Sequence, residues 1–366
     1  MMSFTKVGIV GAGTMGSGIA TNLAQQGVAV ILVDTAQEGV DRGVAAVNKF
    51  FSRAAEKGKI SDADVEKAMS LVEGTTDLAK CGECDLVIEA IFEEFSVKEE
   101  LFKKLNDIMP DDAVIATNTS CLRVSDLQKT VKNPNNFLGL HYFNPAAINP
   151  IVEVVKGEET DDAVFARCLE FCKNTAKKPI ACSDNFGFAI NRFFVPYANE
   201  AVRMLDEGIA SAKQLDRVAQ ECMEVAAGPM MVTNLVKSSV MYHAQTNLAP
   251  HGAFYSVAES LKDKGPKGED YAIDDADEGN PENDAVVADR LRAAAFFPVL
   301  QALDENVATA GEIDMGAGLA LRFGKAPCEL MDSLGKEEVT RILTPIIDQY
   351  GHAMPSSIDK VGSLRG

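Results

Sequence analysis

The chain has 366 residues, of which 46% are hydrophobic and 24% are charged, an ordinary globular composition. At about 150 residues per domain, this length predicts two or three domains with sizeable cores. Its 54 acidic residues outnumber its 35 basic ones, for a formal charge of −19. This balance argues against a broad nucleic-acid interface and a polybasic membrane anchor, but a helix N-terminus can still hold an anionic substrate.

Neither a membrane span nor a targeting segment is expected. The sequence has no uninterrupted apolar stretch of about 20 residues. Its start, MMSFTKVGIV, enters a strand-like run without room for a signal or transit peptide. We therefore expect a cytoplasmic protein whose eight cysteines stay reduced. Cys81 and Cys84 form one CxxC motif, but it lacks a second pair, and no metal site is expected.

The first half of the chain alternates short apolar strands with helical segments. Helix starts are indicated by two capping-box patterns, Ser61 with Asp64 and Ser96 with Glu99. This alternation predicts a doubly wound, mostly parallel α/β sheet. The predicted strands, rich in Val and Ile, are 6–10, 28–33, 86–91 and 114–117.

The pattern changes near residue 137. Two strand-like runs, 137–143 and 151–155, are joined by NPAAINP, whose Asn-Pro pairs are turn signals. The second run can therefore fold back beside the first. After Phe186 the chain is mostly helical, so an all-α region is expected to follow the α/β domain.

The helical region contains an internal repeat with an offset of 98 residues. LDEGIASAKQLD at 205–216 matches LDENVATAGEID at 303–314, and the same offset pairs Asn191-Arg192 with Asp289-Arg290. An ungapped register of this length predicts a duplicated helical unit. Two predicted capping boxes are related in the same way, Ser211 with Gln214 and Thr309 with Glu312.

Between the copies lies a polar, acidic segment, KDKGPKGEDYAIDDADEGNPEND, which is typical of a surface linker. The predicted division is 1–185 for the α/β domain, 186–250 for the first helical copy, 251–288 for the linker and 289–366 for the second copy.

A glycine-rich turn follows the first predicted strand. GAGTMG at 11–16 fits G-x-G-x-x-G, in which Gly11 allows a tight turn, Gly13 lets backbone approach a pyrophosphate and Gly16 allows close helix packing. Asp34 ends the second strand, where an acid binds ribose hydroxyls and repels a 2′-phosphate. The motif favours NAD over NADP, the alternative being a structural turn with a surface Asp. Its expected cofactor-binding residues are Gly11, Gly13, Thr14, Met15, Gly16 and Asp34.

One histidine has an unusual companion. His141 lies near the expected ligand crevice, and Glu153 lies inside the apolar strand IVEVV, where a carboxylate is costly unless it is paired. If the two strands are neighbours, Glu153 fixes the tautomer of His141 and leaves its other nitrogen as a general base. A merely structural pair is the alternative.

Two further polar clusters adjoin apolar runs. Asn118-Thr119-Ser120 follows a predicted strand, and Asn191-Arg192 lies within GFAINRFFVPY. Either cluster forms a cap or turn, or donates hydrogen bonds to a substrate carbonyl.

Together these features resemble the 3-hydroxyacyl-CoA dehydrogenase family specific for the L (S) alcohol. The resemblance implies an N-terminal Rossmann-like domain, a helical C-terminal domain and NAD-dependent oxidation of the 3-hydroxyl of an acyl-CoA, or the reverse. The resembling segments, from about residue 5 to 235, are GAGTMGSGIA, DLVIEAIFEEFSVKEELF, ATNTS, GLHYFNPA, IVEVV and DNFGFAINRFFVPYANEA.

The resemblance also implies roles for individual residues. His141 matches the general base that takes the hydroxyl proton as hydride leaves for nicotinamide, and Glu153 matches its acidic partner. Ser120 and Asn191 match residues that orient the substrate. Further cofactor-lining positions match at Glu93, Lys98 and Asn144.

For CoA itself the resemblance is looser. The family's CoA-contacting residues lie in the helices after the second strand, so Arg53 and Lys57 are candidates, with a solvated helix face as the alternative.

The second helical copy departs from the family's simplest pattern. Single-unit members pair their helical domains between two chains, whereas a tandem copy supplies the partner within one chain. Because Asp289 stands where the first copy has Asn191, the second copy is predicted to be structural. A monomeric pseudo-dimer is therefore favoured, with a homodimer as the alternative.

Two other functions stay open from the sequence. One is a dehydrogenase of the same architecture that acts on a free hydroxy acid, such as carnitine or a sugar acid. The other is a non-catalytic NAD-binding scaffold, against which the presence of His141, Glu153, Ser120 and Asn191 argues.

Overall fold

The computed structural model describes residues 4–366 and divides the chain into two compact units, one ending at Asp184 and one spanning Asn185–Gly366. Within the described residues, none of the helices combines the length and apolar character that crossing a bilayer requires. The cytoplasmic location stays a prediction.

The first unit is built on one eight-stranded sheet. Its strands are β1 (Lys6–Val10), β2 (Ala29–Val33), β3 (Val72–Thr75), β4 (Leu86–Glu89), β5 (Val114–Thr117), β6 (Phe137–Tyr142), β7 (Ile151–Lys156) and β8 (Lys178–Ser183).

The strand order is β3-β2-β1-β4-β5-β6-β7-β8, and every neighbouring pair is parallel except β6 with β7. This arrangement confirms the predicted doubly wound, mostly parallel α/β fold. The direction in which successive strands are added reverses at β1, because β2 lies on one side of it and β4 on the other. Ligands of such sheets bind at the carboxyl edge beside that point.

Helices flank this sheet. The predicted capping box at Ser61 and Asp64 is confirmed, with both hydrogen bonds present. The prediction at Ser96 and Glu99 is wrong, because the helix already begins after Glu94 and Ser96 lies within it. The helices of this unit are α1 (Thr14–Gln25), α2 (Gln37–Glu56), α3 (Asp62–Met69), α4 (Phe95–Ile108), α5 (Val124–Gln128) and α6 (Asp162–Asn174).

Two strands were not predicted, and one predicted strand is too long. Strand β3 contains Glu73, Gly74 and Thr75, which weaken the apolar signal, and β8 is an edge strand with a proline. The predicted strand 86–91 ends at Glu89, because the chain turns there and the Ile91 amide donates to the Glu89 carboxylate at 2.8 Å.

The second unit is helical, as predicted. It consists of α7 (Asn191–Asp206), α8 (Ala212–Met223), α9 (Pro229–Val236), α10 (Ser238–Leu248), α11 (Glu259–Lys264), α12 (Asp284–Asp304), α13 (Ala310–Ala320), α14 (Pro327–Leu334) and α15 (Lys336–Tyr350), together with short 3-10 turns.

The repeat is visible in the contacts of these helices. Asp216 on α8 accepts hydrogen bonds from the Met230 and Met231 amides at 2.7 and 3.0 Å. Asp314 on α13, 98 residues later, accepts from the Cys328 and Glu329 amides at 2.8 and 2.9 Å. Each Asp thus binds the N-terminus of the following helix, which favours a negative charge.

The two copies meet reciprocally. The Ala226 amide donates to the Arg322 carbonyl at 3.2 Å, and the equivalent Gly324 amide donates to the Glu224 carbonyl at 2.9 Å. Such exchange of equivalent groups is the mark of a two-fold interface. The helical unit is therefore an intrachain pseudo-two-fold pair.

The capping boxes of the copies differ. Thr309 and Glu312 form the full predicted box. The prediction for Ser211 and Gln214 is wrong in one half: Ser211 caps α8, but the Gln214 side chain binds Asn280 and Asp284 instead. Part of the segment between the copies is thus fixed against the first copy.

Candidate functional site

The glycine turn after β1 has the geometry that each glycine was predicted to provide. Gly11 has a φ of +107°, a conformation that L side chains rarely adopt. A Cβ on Gly16 would lie 1.8 Å from the Gly11 carbonyl oxygen, so α1 can approach the turn only with glycine there. A Cβ on Gly13 would meet nothing within 4 Å. Gly13 therefore faces open space, in which a ligand can approach the backbone closely.

This space is a cavity of about 620 Å³ at the start of α1, and Thr14 and Met15 line it together with Gly11 and Gly13. Asp34 lies at its edge, where one carboxylate oxygen accepts the Ala12 amide at 2.9 Å. A helix N-terminus, an open glycine and an adjacent acid fit the phosphates and the ribose of a dinucleotide. The cavity also includes Arg42 and the exposed Phe92, which the sequence did not single out.

A second cluster lies on β6, β7 and the loop after β5. His141 and Glu153 are directly opposite one another in the antiparallel register of β6 and β7. His141 Nδ1 lies 2.7 Å from Glu153 Oε2, and His141 Nε2 lies 2.9 Å from Ser120 Oγ. Glu153 is fully buried and His141 is 4% exposed. The paired carboxylate fixes the imidazole so that Nδ1 donates to Glu153 and Nε2 is left to accept a proton.

The loop that carries Ser120 is held by Glu93. One Glu93 oxygen accepts hydrogen bonds from the Ser120 and Cys121 amides at 2.8 and 3.0 Å and from the Thr119 hydroxyl at 2.5 Å. The other oxygen lies 3.1 Å from Lys98 Nζ. Burial acts to raise the pKa of Glu93, but the Lys98 charge and these donors together lower it below its usual value. Glu93 therefore stays ionised and fixes the loop.

Glu89, which the sequence interpretation missed, supports this loop from inside the sheet. It is fully buried, and its oxygens lie 2.5 Å from Lys98 Nζ and 2.6 Å from Thr117 Oγ1. A signal was available, since Glu89 interrupts the apolar run LVIEA as Glu153 interrupts IVEVV. Lys98 is 1% exposed and bridges both glutamates, so a buried ion-pair network reaches from β4 to the Ser120 loop.

The other predicted site residues lie elsewhere. Asn144 is exposed just after β6, and Asn191 is the first residue of α7 in the second unit. Arg53 and Lys57 are exposed at the C-terminal end of α2, where the helix packs near the end of α1 rather than near the glycine turn. The first unit therefore brings Ser120, His141 and Glu153 together, but not Arg53 and Lys57 with them.

The CxxC cysteines are structural in character. Cys81 and Cys84 are both buried, and burial raises the pKa of their thiols to about 12 and about 11. In residues 4–366, no three His, Cys, Asp or Glu side chains are arranged as a metal site.

Comparison with known families decides the assignment. The sequence model of the 3-hydroxyacyl-CoA dehydrogenase NAD-binding domain matches residues 6–185, and that of the C-terminal domain of the same family matches residues 187–269. The chain belongs to the 3-hydroxyacyl-CoA dehydrogenase family. The predicted activity and cofactor are confirmed: it is an NAD-dependent oxidoreductase that acts on a hydroxyl group.

Relatives of this dehydrogenase agree. A 3-hydroxybutyryl-CoA dehydrogenase of Mycobacterium tuberculosis is 38% identical over 233 residues, which cover 63% of this chain and 82% of the relative. A solved (S)-3-hydroxybutyryl-CoA dehydrogenase from Ralstonia eutropha is 31% identical with a TM-score of 0.70, covering 72% of this chain and 94% of that one.

One solved structure extends over the whole dehydrogenase. A 3-hydroxybutyryl-CoA dehydrogenase from Escherichia coli superposes with a TM-score of 0.86 over 99% of this chain and 98% of that one. At 22% identity this match concerns the fold alone. It shows that a second helical region after residue 269 is part of a known architecture.

Proposed function

We propose that this dehydrogenase interconverts an (S)-3-hydroxyacyl-CoA and its 3-ketoacyl-CoA, with His141 as the general base and acid. The observation that carries the proposal is the line of Ser120, His141 and Glu153, with contacts of 2.9 and 2.7 Å. With Nδ1 held by the buried carboxylate, Nε2 accepts the proton of the substrate hydroxyl. When bound, NAD supplies nicotinamide C4 as the hydride acceptor.

The remaining residues orient and stabilise the reacting atoms. Glu153 stabilises the imidazolium that forms when His141 takes the proton, and in reverse His141 returns that proton to the carbonyl oxygen. Ser120 Oγ, already within hydrogen-bond distance of His141 Nε2, donates to the substrate oxygen. Asn191 donates its amide near the reacting carbon. Such alignment holds the substrate in a near-attack geometry.

The glycine turn, Thr14, Met15 and Asp34 are assigned to the dinucleotide. Glu93, Lys98 and Asn144 are assigned to the lining of the cofactor site, and for the first two their link to the Ser120 loop supports this. Arg53 and Lys57 are the candidates for CoA. Their exposure at the end of α2 leaves both charges available to phosphate.

The two helical copies are proposed to make the chain a monomer with one active site. For the domain, the copies and the linker we keep the proposed division 1–185, 186–250, 251–288 and 289–366, in which α12 begins within the linker at Asp284. The reciprocal backbone bonds between the copies support this organisation, because the first copy already has its two-fold partner within the chain.

The test follows NADH absorbance on addition of acetoacetyl-CoA, with NADPH and free acetoacetate as parallel controls. The same preparation is sedimented at several concentrations. We expect rapid NADH loss with the thioester, little with either control, and a 39.2 kDa species that persists on concentration. Turnover of free acetoacetate at a similar rate would favour the free-acid alternative. A dimer that does not dissociate on dilution would contradict the monomer.

A further inference from the structure

The segment that delivers Asn191 is tightly constrained. It runs from Asn185 to Arg192 and contains two residues with positive φ, Gly187 at +79° and Phe188 at +47°. The Arg192 amide closes it by donating to the Gly187 carbonyl at 2.9 Å. A phenylalanine rarely adopts this backbone conformation, so surrounding contacts must hold the segment in place.

His251 contributes one of those contacts, with its Nε2 3.1 Å from the Phe186 carbonyl oxygen, and the second helical copy contributes two. Glu305, the C-cap residue that follows α12, lies 2.9 Å from Arg192 through one carboxylate oxygen, and its other oxygen accepts a hydrogen bond from Asn185 Nδ2 at 2.6 Å. One side chain therefore binds both ends of the segment. Arg192 itself is fully buried, where an unpaired guanidinium is costly.

Among the described neighbours of Arg192, Glu305 is the residue that balances its positive charge. His251 Nε2 and the Tyr255 hydroxyl also contact the guanidinium, the latter at 3.3 Å. Burial and then the Arg192 charge lower the pKa of His251 to about 4, so His251 is neutral near pH 7. Among the described residues, Glu305 is the carboxylate in contact with Arg192.

The pseudo-symmetry provides an internal control. The equivalent pair, Arg290 with Glu207, also joins the copies, with Arg290 Nη2 lying 3.3 Å from Glu207. However, Arg290 is partly exposed and also pairs with Glu200 at 2.5 Å. The equivalent of Asn185 is Asn283, which donates to the Ile209 carbonyl at 2.6 Å and not to a glutamate. The arrangement in which one glutamate binds both ends therefore belongs to the side that carries Asn191.

We infer that Glu305 is a positioning residue of the active site, contributed by the helical copy that itself lacks the asparagine. Glu305 acts through Asn185 and Arg192 on the placement of Asn191. The inference rests on the role of Asn191 in the proposed function. The second copy is thus needed for turnover and not for stability alone.

The experiment compares Glu305→Gln with its pseudo-symmetric control, Glu207→Gln, in the full-length chain. Thermal midpoint, NADH affinity, kcat and KM for acetoacetyl-CoA are measured. We expect Glu305→Gln to lower kcat/KM about 10- to 100-fold, as expected for a misplaced contact group, while NADH affinity stays within about twofold. Glu207→Gln should keep kcat/KM within about twofold, although it removes a similar ion pair.

A double variant separates positioning from general destabilisation. In an Asn191→Ala background, adding Glu305→Gln should lower kcat/KM by less than about threefold, because effects through one residue are not additive. If Glu305→Gln does not fold, Asn185→Ala replaces it, since this variant removes one of the two contacts and should show the same non-additivity.

Three results would overturn the inference. They are full activity of a folded Glu305→Gln, equal losses in the two glutamine variants, or an undiminished effect of Glu305→Gln in the Asn191→Ala background. Wild-type kcat/KM in Asn191→Ala alone would instead refute the assignment of Asn191, on which the inference rests. An impaired Asn191→Ala with a fully active Glu305→Gln would refute the inference and leave the proposed function intact.

Discussion

Replacing Glu153 by glutamine tests the proposed base most directly. The substitution keeps the shape of the side chain but removes the charge 2.7 Å from His141 Nδ1. Two unit charges about 4 Å apart interact by about 4 kcal/mol at an effective dielectric constant of 20. At about 1.4 kcal/mol per factor of ten, losing this stabilisation of the imidazolium lowers kcat about 10³-fold. The glutamine amide can also donate to Nδ1 and so favour the wrong tautomer.

The assay measures kcat at saturating NAD and (S)-3-hydroxybutyryl-CoA, the direction in which His141 takes up the proton, together with NADH affinity and the thermal midpoint. We expect kcat to fall about 10²- to 10⁴-fold. NADH affinity should be unchanged, because Glu153 does not line the cavity at the glycine turn. The matched control is Glu73→Gln, on the edge strand β3, where Glu73 is half exposed and pairs with Lys80. A folded Glu153→Gln enzyme that keeps kcat within about tenfold would refute the base assignment.

Two further predictions follow from the glycine turn and from the buried histidine. Gly16→Ala should lower the unfolding free energy by about 1–3 kcal/mol or more, because its Cβ would overlap the Gly11 carbonyl, whereas Gly13→Ala should fold normally and weaken NADH binding at least about tenfold. Equal thermal midpoints and NADH affinities in the two variants would contradict this distinction. The pKa of His251 is lowered from 6.5 to about 4 in the folded chain. As pH falls from 6.5 to 4, His251 is therefore protonated in the unfolded chain before the folded one, and the free energy of unfolding decreases by up to about 3 kcal/mol. In urea titrations, His251→Gln should therefore lose less unfolding free energy than the wild type between pH 6.5 and 4, and identical slopes would refute the linkage.

Features that depend on a residue and its own strand could be predicted from the sequence. The glycine motif, the apolar strands and the charge inside IVEVV led to the observed turn, sheet and His141–Glu153 contact. Glu89 interrupts an apolar run as Glu153 does, but the run around it predicts one long strand through Ile91, so Glu89 does not stand out as a site residue. Its role becomes visible only when the chain turns after Glu89 and Lys98 comes back to meet it.

Contacts between distant segments could not be predicted in this way. The 98-residue offset indicated that two copies exist, but it does not say which faces pack together. Arg192 and Glu305 are 113 positions apart, and in its own segment of the sequence each is an ordinary charged residue. Side-chain hydrogen bonds also overrode local rules, as when Gln214 bound the linker instead of completing its cap.

The fusion of both halves of the pseudo-two-fold pair into one chain changes what mutation can do. In an assembly of identical subunits, every substitution appears twice, once on each side of the axis. Here a substitution changes only one side of the pseudo-two-fold axis, so the two sides can come to differ. Asn191 corresponds to Asp289 in the repeat, His251 corresponds to Gln349, and Lys237 takes the positive φ that Gly335 takes in the other copy. The two halves of the pseudo-two-fold pair can thus differ residue by residue within one chain.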